Sequence, residues 1–219
     1  MKIALVTAIF GGIDEVHVPM KQTCPHQYFL FNEQNCPADI NYANDRLRAK
    51  FFKIQTHRVL PEFDLFVWMD GTLKMATNLF LEQVIQKLGD NDALFMNHVI
   101  RKCVYEEAEE ILKYLKDDKS EWYGYFRTRF TIEEIEREIE SYRKAGYPEN
   151  AGLWSGGFFV RRNNERTNNF FNKWWDSILR YGCKDQMSLA YHINTYKEIK
   201  ITFMEDLYGN KIERSTHKK

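Results

Sequence analysis

Apolar residues along this chain fall into two rhythms. Unbroken apolar runs closed by Gly, Asn or Asp occur at KIALVTAIFGG (2–12), HQYFLFNEQ (26–34), LFVWMD (65–70), ALFMNHV (93–99), GLWSGGFFVRR (152–162) and EIKITFME (198–205). Runs of this length and closure predict strands buried on both faces. Between them, apolar positions recur every three or four residues, which predicts helices over 44–57, 77–88, 103–115, 131–146, 165–182 and 184–196. Thr77 or Asn78 is placed to cap the second of these helices, and Gly146 to close the fourth. Strands alternating with helices predict an α/β fold: an open, mostly parallel (mixed) central sheet with helices on both faces. No repeat, low-complexity tract or linker divides residues 1–219, so one domain is expected, with a charged helical excursion at about 105–145.

The stretch LFVWMDGTLKM (65–75) carries the first chemical signal. A core strand ends there on a carboxylate, Asp70, and a charge beside a core needs a partner. A hard divalent cation with phosphate oxygens is one such partner; capping the next helix, or pairing with a lysine, is another. Open parallel sheets bind ligands beyond the carboxyl ends of their strands. The Gly11-Gly12 loop, Asn32/Glu33, Asp70 and His98 all fall at that edge. Arg46, Lys50, Lys53 and His57, spaced by four, three and four, form a basic ridge on one helix face entering the same edge. Arg and Lys are the usual partners of phosphate, so the ridge reads as half of a diphosphate clamp.

Composition narrows the classes. Hydrophobic residues make up 44% and charged residues 28% of 219, as in ordinary soluble domains. Basic and acidic residues balance at 31 each, which argues against nucleic acid and against bulk attraction to an anionic membrane. Cys24, Cys36, Cys103 and Cys183 have no zinc-site spacing, so reduced thiols and a cytoplasmic setting are expected, although Cys24 and Cys36 could pair. No apolar run approaches the roughly 20 residues of a membrane span. The opening IALVTAIF is too short for a signal segment, so any membrane association would be peripheral.

The string RAKFFKIQTHRVLPEFDLFVWMDGTLKM resembles the core of a family of glycosyltransferase-like domains related to mucilage and cell-wall synthesis, within the GT-A superfamily. His98 with RKCVYEEA, GLWSGGFFVRRNN, Trp174-Trp175, KDQMSLAY and the closing His217-Lys218 continue the resemblance in order. It implies a UDP-sugar donor, a glycan or lipid-linked glycan acceptor, and Mn²⁺ or Mg²⁺ held by Asp70 and His217. Asp70 takes the place of the superfamily's DxD motif, but Asp70-Gly71-Thr72 lacks the second carboxylate. Thr7, Ala8 and Gly11 would cradle the nucleoside. Arg48 and Lys53 would touch nucleoside or diphosphate, with Arg46 and Lys50 in reserve. Gly156 and Gly157 would approach the donor sugar. Asp185 and Gln186 would bond sugar hydroxyls, with Asp185 as base toward the acceptor, and His98, Arg101 and Glu106 would lie on the acceptor or sugar side. Trp154 would stack on a sugar or base. The missing second carboxylate keeps a catalytically silent nucleotide-sugar or glycan-binding module as the alternative. A nucleotidyltransferase ranks lower, because the loop FGGIDEVHV has no early basic residue.

Overall fold

The computed structural model describes residues 1–40, 42, 44–182, 184–205 and 212–214. They form one α/β domain around an open six-stranded sheet of order β2-β1-β3-β6-β5-β7. β1 (Ile3–Ala8) pairs in parallel with β2 (Gln27–Phe31) and with β3 (Leu65–Met69). β5 (Ala93–Asn97) and β7 (Ile201–Met204) are also parallel, while β6 (Trp154–Arg162) runs antiparallel between β3 and β5. β4 (Leu73–Met75) and β8 (Ile212–Arg214) make a small separate ladder.

The continuous apolar runs follow from cover on both faces. Alternate residues of β1 enter different layers: Ala4, Val6 and Ala8 join one core cluster, Ile3 and Leu5 the other. The first layer is built by α1 (Asp45–Ile54), α4 (Val104–Lys116), α6 (Ile132–Lys144), α7 (Glu165–Tyr181) and α8 (Asp185–Thr195). The aromatic face of α7 is entirely core here, with Phe170, Phe171 and Trp174 fully buried. The second layer rests on α3 (Phe80–Leu88), whose Phe80, Leu81, Val84 and Leu88 are all buried. Its first turn is not capped by Thr77 or Asn78. Gln22 reaches across from the segment after β1, and its Oε1 accepts from the Leu81 N–H at 3.1 Å.

The helix expected over 44–57 divides. Asn44 caps α1, its side chain accepting from the Leu47 N–H, and the helix ends at Gln55. Gln55 is fully buried, with its amide donating to Phe171 O at 3.1 Å. The next turn, α2 (Thr56–Val59), carries His57 away from Lys50 and Lys53, to within 3.3 Å of the buried Arg161. Burial, with Arg161 beside it, pushes the His57 pKa down to about 3, so His57 is no cation of the ridge. Cys24 and Cys36 stand as free thiols, and Cys183 lies outside the described residues. Among the described residues no helix is long and apolar enough to cross a membrane.

The charged excursion is α4, α5 (Tyr123–Arg127) and α6. α6 opens with a capping box made by Thr131 and Glu134. One residue on its inner face is out of keeping: Glu138 is 2% exposed and accepts from the Tyr142 hydroxyl at 2.5 Å. Burial drives its pKa from 4.5 to about 8. The native state therefore holds this proton more tightly than the unfolded chain, and stability falls as pH rises from about 4.5 to about 8. Glu138→Gln keeps the Tyr142 bond and cannot ionise. In denaturant melts it should match the parent at pH 4 and exceed it by about 4 kcal/mol at pH 8.

Candidate functional site

The antiparallel course of β6 builds the site. Because β6 runs against its neighbours, its first residues lie where β3 and β5 end: Met69 pairs with Phe158, and the Asp70 N–H donates to Gly157 O at 2.8 Å. The β5–β6 register shifts between Phe95 and Met96, so Gly156 and Gly157 lie in an irregularity beside the strand ends. A Cβ on Gly156 would stand 3.1 Å from both Lys53 Nζ and Asp185 Oδ2, and one on Gly157 would stand 3.3 Å from Asp70 Oδ2. Both positions hold backbone close to charged groups where a side chain would intrude.

Those groups form one array. Lys53 is the seventeenth residue before Asp70 and lies far from Asp185 in sequence, yet its Nζ is 2.6 Å from Asp185 Oδ2 and 3.4 Å from Asp70 Oδ1. Lys50, one helical turn earlier, is 2.9 Å from Asp185 Oδ1. Burial alone would push the Asp185 carboxyl up, but the two lysines outweigh it and hold it far below the usual carboxylate range. Burial alone would push the Lys53 ammonium down, but Asp185 and then Asp70 raise it. Lys53 and Asp185 are thus both charged at neutral pH. Trp68 fixes Asp70 from two strand positions earlier, its Nε1 donating to Oδ1 at 2.7 Å. Asp185 begins α8, where the Trp174 indole donates to its backbone oxygen at 3.1 Å.

The array floors a cavity of about 1410 Å³ at the carboxyl edge of the sheet. Ala8, Gly11, Lys53, Asp70, His98, Gly156, Gly157, Asp185 and Gln186 all line it, as do Arg46, Lys50 and Arg101. Thr7 and Arg48 do not. Thr7, one strand position from Ala8, faces the other layer and a second cavity with Tyr28. Arg48 turns to Asp45 and packs over Phe10, 5.4 Å from the ring centre. Glu33 Oε1 accepts from the Gly11 N–H at 2.5 Å, whereas Asn32 lines neither cavity and accepts from the Gln34 N–H at 2.9 Å within its own turn. Gly11 itself needs φ +70. Trp154 is 8% exposed and stacks on Phe203 at 5.1 Å, a core position. His217 lies outside the described residues.

A second buried carboxylate was not singled out from sequence. Glu107, on the first turn of α4, is 1% exposed and bridges Arg101 and Lys184, with Lys184 Nζ at 2.5 Å from Oε1. Burial alone would raise it; Lys184 and Arg101 outweigh that and keep it ionised. Its neighbour Glu106, the expected site residue, instead accepts from the Lys102 N–H at 3.2 Å and fixes the start of the helix. His98 Nδ1 accepts from the Arg101 N–H at 2.9 Å. Burial lowers the His98 pKa, so the ring is neutral at physiological pH.

Mg²⁺ and Mn²⁺ are commonly held by one or two carboxylates, with substrate phosphates and water completing the shell. Asp70 offers one such carboxylate at the strand end. Among the described residues no group of three His, Cys, Asp or Glu could hold a metal on its own. Leu73, three residues after Asp70, pairs with Arg214, three residues before His217. The donor set is compatible with a cation shared with a diphosphate and not with a closed protein cage.

A family model described as "TOD1/MUCI70, glycosyltransferase-like domain" matches residues 36–217. No curated protein matches the chain.

Proposed function

Since the chain belongs to the TOD1/MUCI70 glycosyltransferase-like family, we propose that it transfers a sugar from a nucleotide-sugar donor, a UDP-sugar, to a saccharide hydroxyl. The observation that supports the donor assignment is the array at the sheet edge. Lys53, within 3.4 Å of both Asp70 and Asp185, and Lys50, 2.9 Å from Asp185, stand beside two glycines that keep the backbone low.

The chemistry follows from where charge develops. Breaking the bond between the anomeric carbon and the diphosphate leaves positive charge on the sugar and negative charge on the departing phosphates. Lys50 and Lys53, held in place before substrate arrives, stabilise those phosphates more as the bond breaks than before it does. Asp185 remains ionised beside them. So acidic a carboxyl is a poor proton acceptor, and its part is to hold the lysines and to face the oxocarbenium-like centre with negative charge. Gly156 and Gly157 admit the sugar to that position.

Carboxylates outnumber ammonium groups at this end of the cavity, where Asp14, Asp45, Asp70, Asp185 and Glu213 line it with Lys50 and Lys53. A diphosphate arriving alone would meet net negative charge. A divalent cation on Asp70, with His217 as the further ligand, would reverse that charge and act as a Lewis acid on the leaving phosphate oxygens. Free UDP should appear when the protein is incubated with a panel of UDP-sugars and Mn²⁺, and EDTA should suppress its appearance at least tenfold. A silent binding module would bind the same nucleotides in calorimetry and release no UDP from any of them.

A further inference from the structure

The lining charges of the main cavity are segregated. Against the acidic strand-end half stands a second half carrying Arg46, Arg101, Arg129 and Lys184 with, among the described residues, a single carboxylate, Glu107. These residues are one connected patch. Arg101 and Lys184 share Glu107, and Lys184 lies 5.9 Å from the centre of the Phe130 ring. Arg46 lies over the same ring at 4.7 Å and donates to Arg129 O. Arg129 in turn stacks its guanidinium on Tyr125 at 3.6 Å. Arg101, Arg129 and Lys184 outnumber Glu107 in charge, and an anion placed among them relieves the repulsion that remains. The lysines of the strand-end array are engaged elsewhere, at Asp185 and Asp70.

We propose that this half is a distinct subsite for an anionic saccharide, one bearing a carboxylate or phosphate, and that the acceptor is the molecule it holds. That it serves the acceptor rests on the transferase reading; that it binds a saccharide anion does not. Planar guanidinium groups recognise carboxylate and phosphate through paired N–H donors. The rings of Tyr125 and Phe126 provide the apolar wall that a pyranose face requires. α5 and the β5–α4 loop, with Ile100 77% exposed at the mouth, leave the subsite open to solvent, as a polymeric or bulky acceptor requires.

The test uses calorimetric titration of the whole protein with three probes: an oligosaccharide carrying one glucuronate, its carboxyl-reduced neutral form, and glucose 6-phosphate. The glucuronate form should bind at least tenfold more tightly than the neutral form, and the phosphate probe shows whether phosphate serves equally. Arg129→Gln should abolish the preference while UDP affinity stays within twofold, and Arg101→Gln, in the β5–α4 loop, should do the same. Thermal melts confirm that each variant is folded. Equal binding of acidic and neutral forms, no binding of either, or a preference that survives both substitutions overturns the proposal. If the acidic probe binds through Arg129 while UDP and UDP-sugars do not bind, the subsite stands and the donor assignment falls.

Discussion

Asp185→Ala should destabilise the protein by about 3–5 kcal/mol at pH 7, the cost of removing one member of a buried ion pair and leaving the other uncompensated. Lys53 is 5% exposed and loses its 2.6 Å partner, retaining only Asp70 at 3.4 Å. Lys50 loses its 2.9 Å partner at the same time. The deficit has a pH signature. The folded-state pKa of Asp185 is depressed, so its contribution is fully present above the unfolded value of 3.8 and is lost as pH falls below it. Urea melts of parent and variant should therefore be far apart at pH 7 and converge below about pH 3.8. A constant gap down to pH 2 would show that the carboxylate is not held by the lysines.

Asp70→Asn should have the opposite profile, with little loss of stability and a large loss of activity. The Asp70 side chain is 41% exposed, and an exposed ion pair contributes about 1 kcal/mol or less. Asparagine retains the oxygen that accepts from Trp68 Nε1 at 2.7 Å, and Lys53 keeps Asp185. What disappears is the negative oxygen that would share a divalent cation with the diphosphate. Removing one preorganised electrostatic group of this kind costs about 10²–10³-fold in turnover. UDP release from the best UDP-sugar should fall by that factor, while the melting temperature moves by only a few degrees. An unchanged rate would remove Asp70 from the reaction.

Which of these residues could be read in advance follows from how local each signal is. Asp70 was visible because a fully buried run of five residues ended on a charge. Lys50 and Lys53 were visible because three-residue spacing keeps them on one face of α1. Period-two alternation in β1 separates Thr7 from Ala8, and this simple rule accounts for Thr7 facing the second cavity. Glu107 gave no local sign. It stands in a run of acidic residues, and its partners Arg101 and Lys184 come from a loop and from the start of a distant helix. Lys53 and Asp185 are 132 residues apart, and only the fold brings them together. The ladder of β4 with β8 is three residues long on each side, too short for a periodicity to reveal. The division of the 44–57 helix at Gln55 depended on a long-range bond to Phe171 O, which local propensity does not contain.

The proposed seat of the donor diphosphate is the lysine array, and a calorimetric titration of UDP with Mn²⁺ into Lys50→Gln tests that proposal without disturbing the more deeply buried Lys53. The affinity should weaken at least tenfold relative to the parent protein, with thermal melts confirming that the variant is folded. UDP binding as tight as in the parent would mean that the phosphates lie somewhere other than the edge where Lys50, Lys53, Asp70 and Asp185 meet.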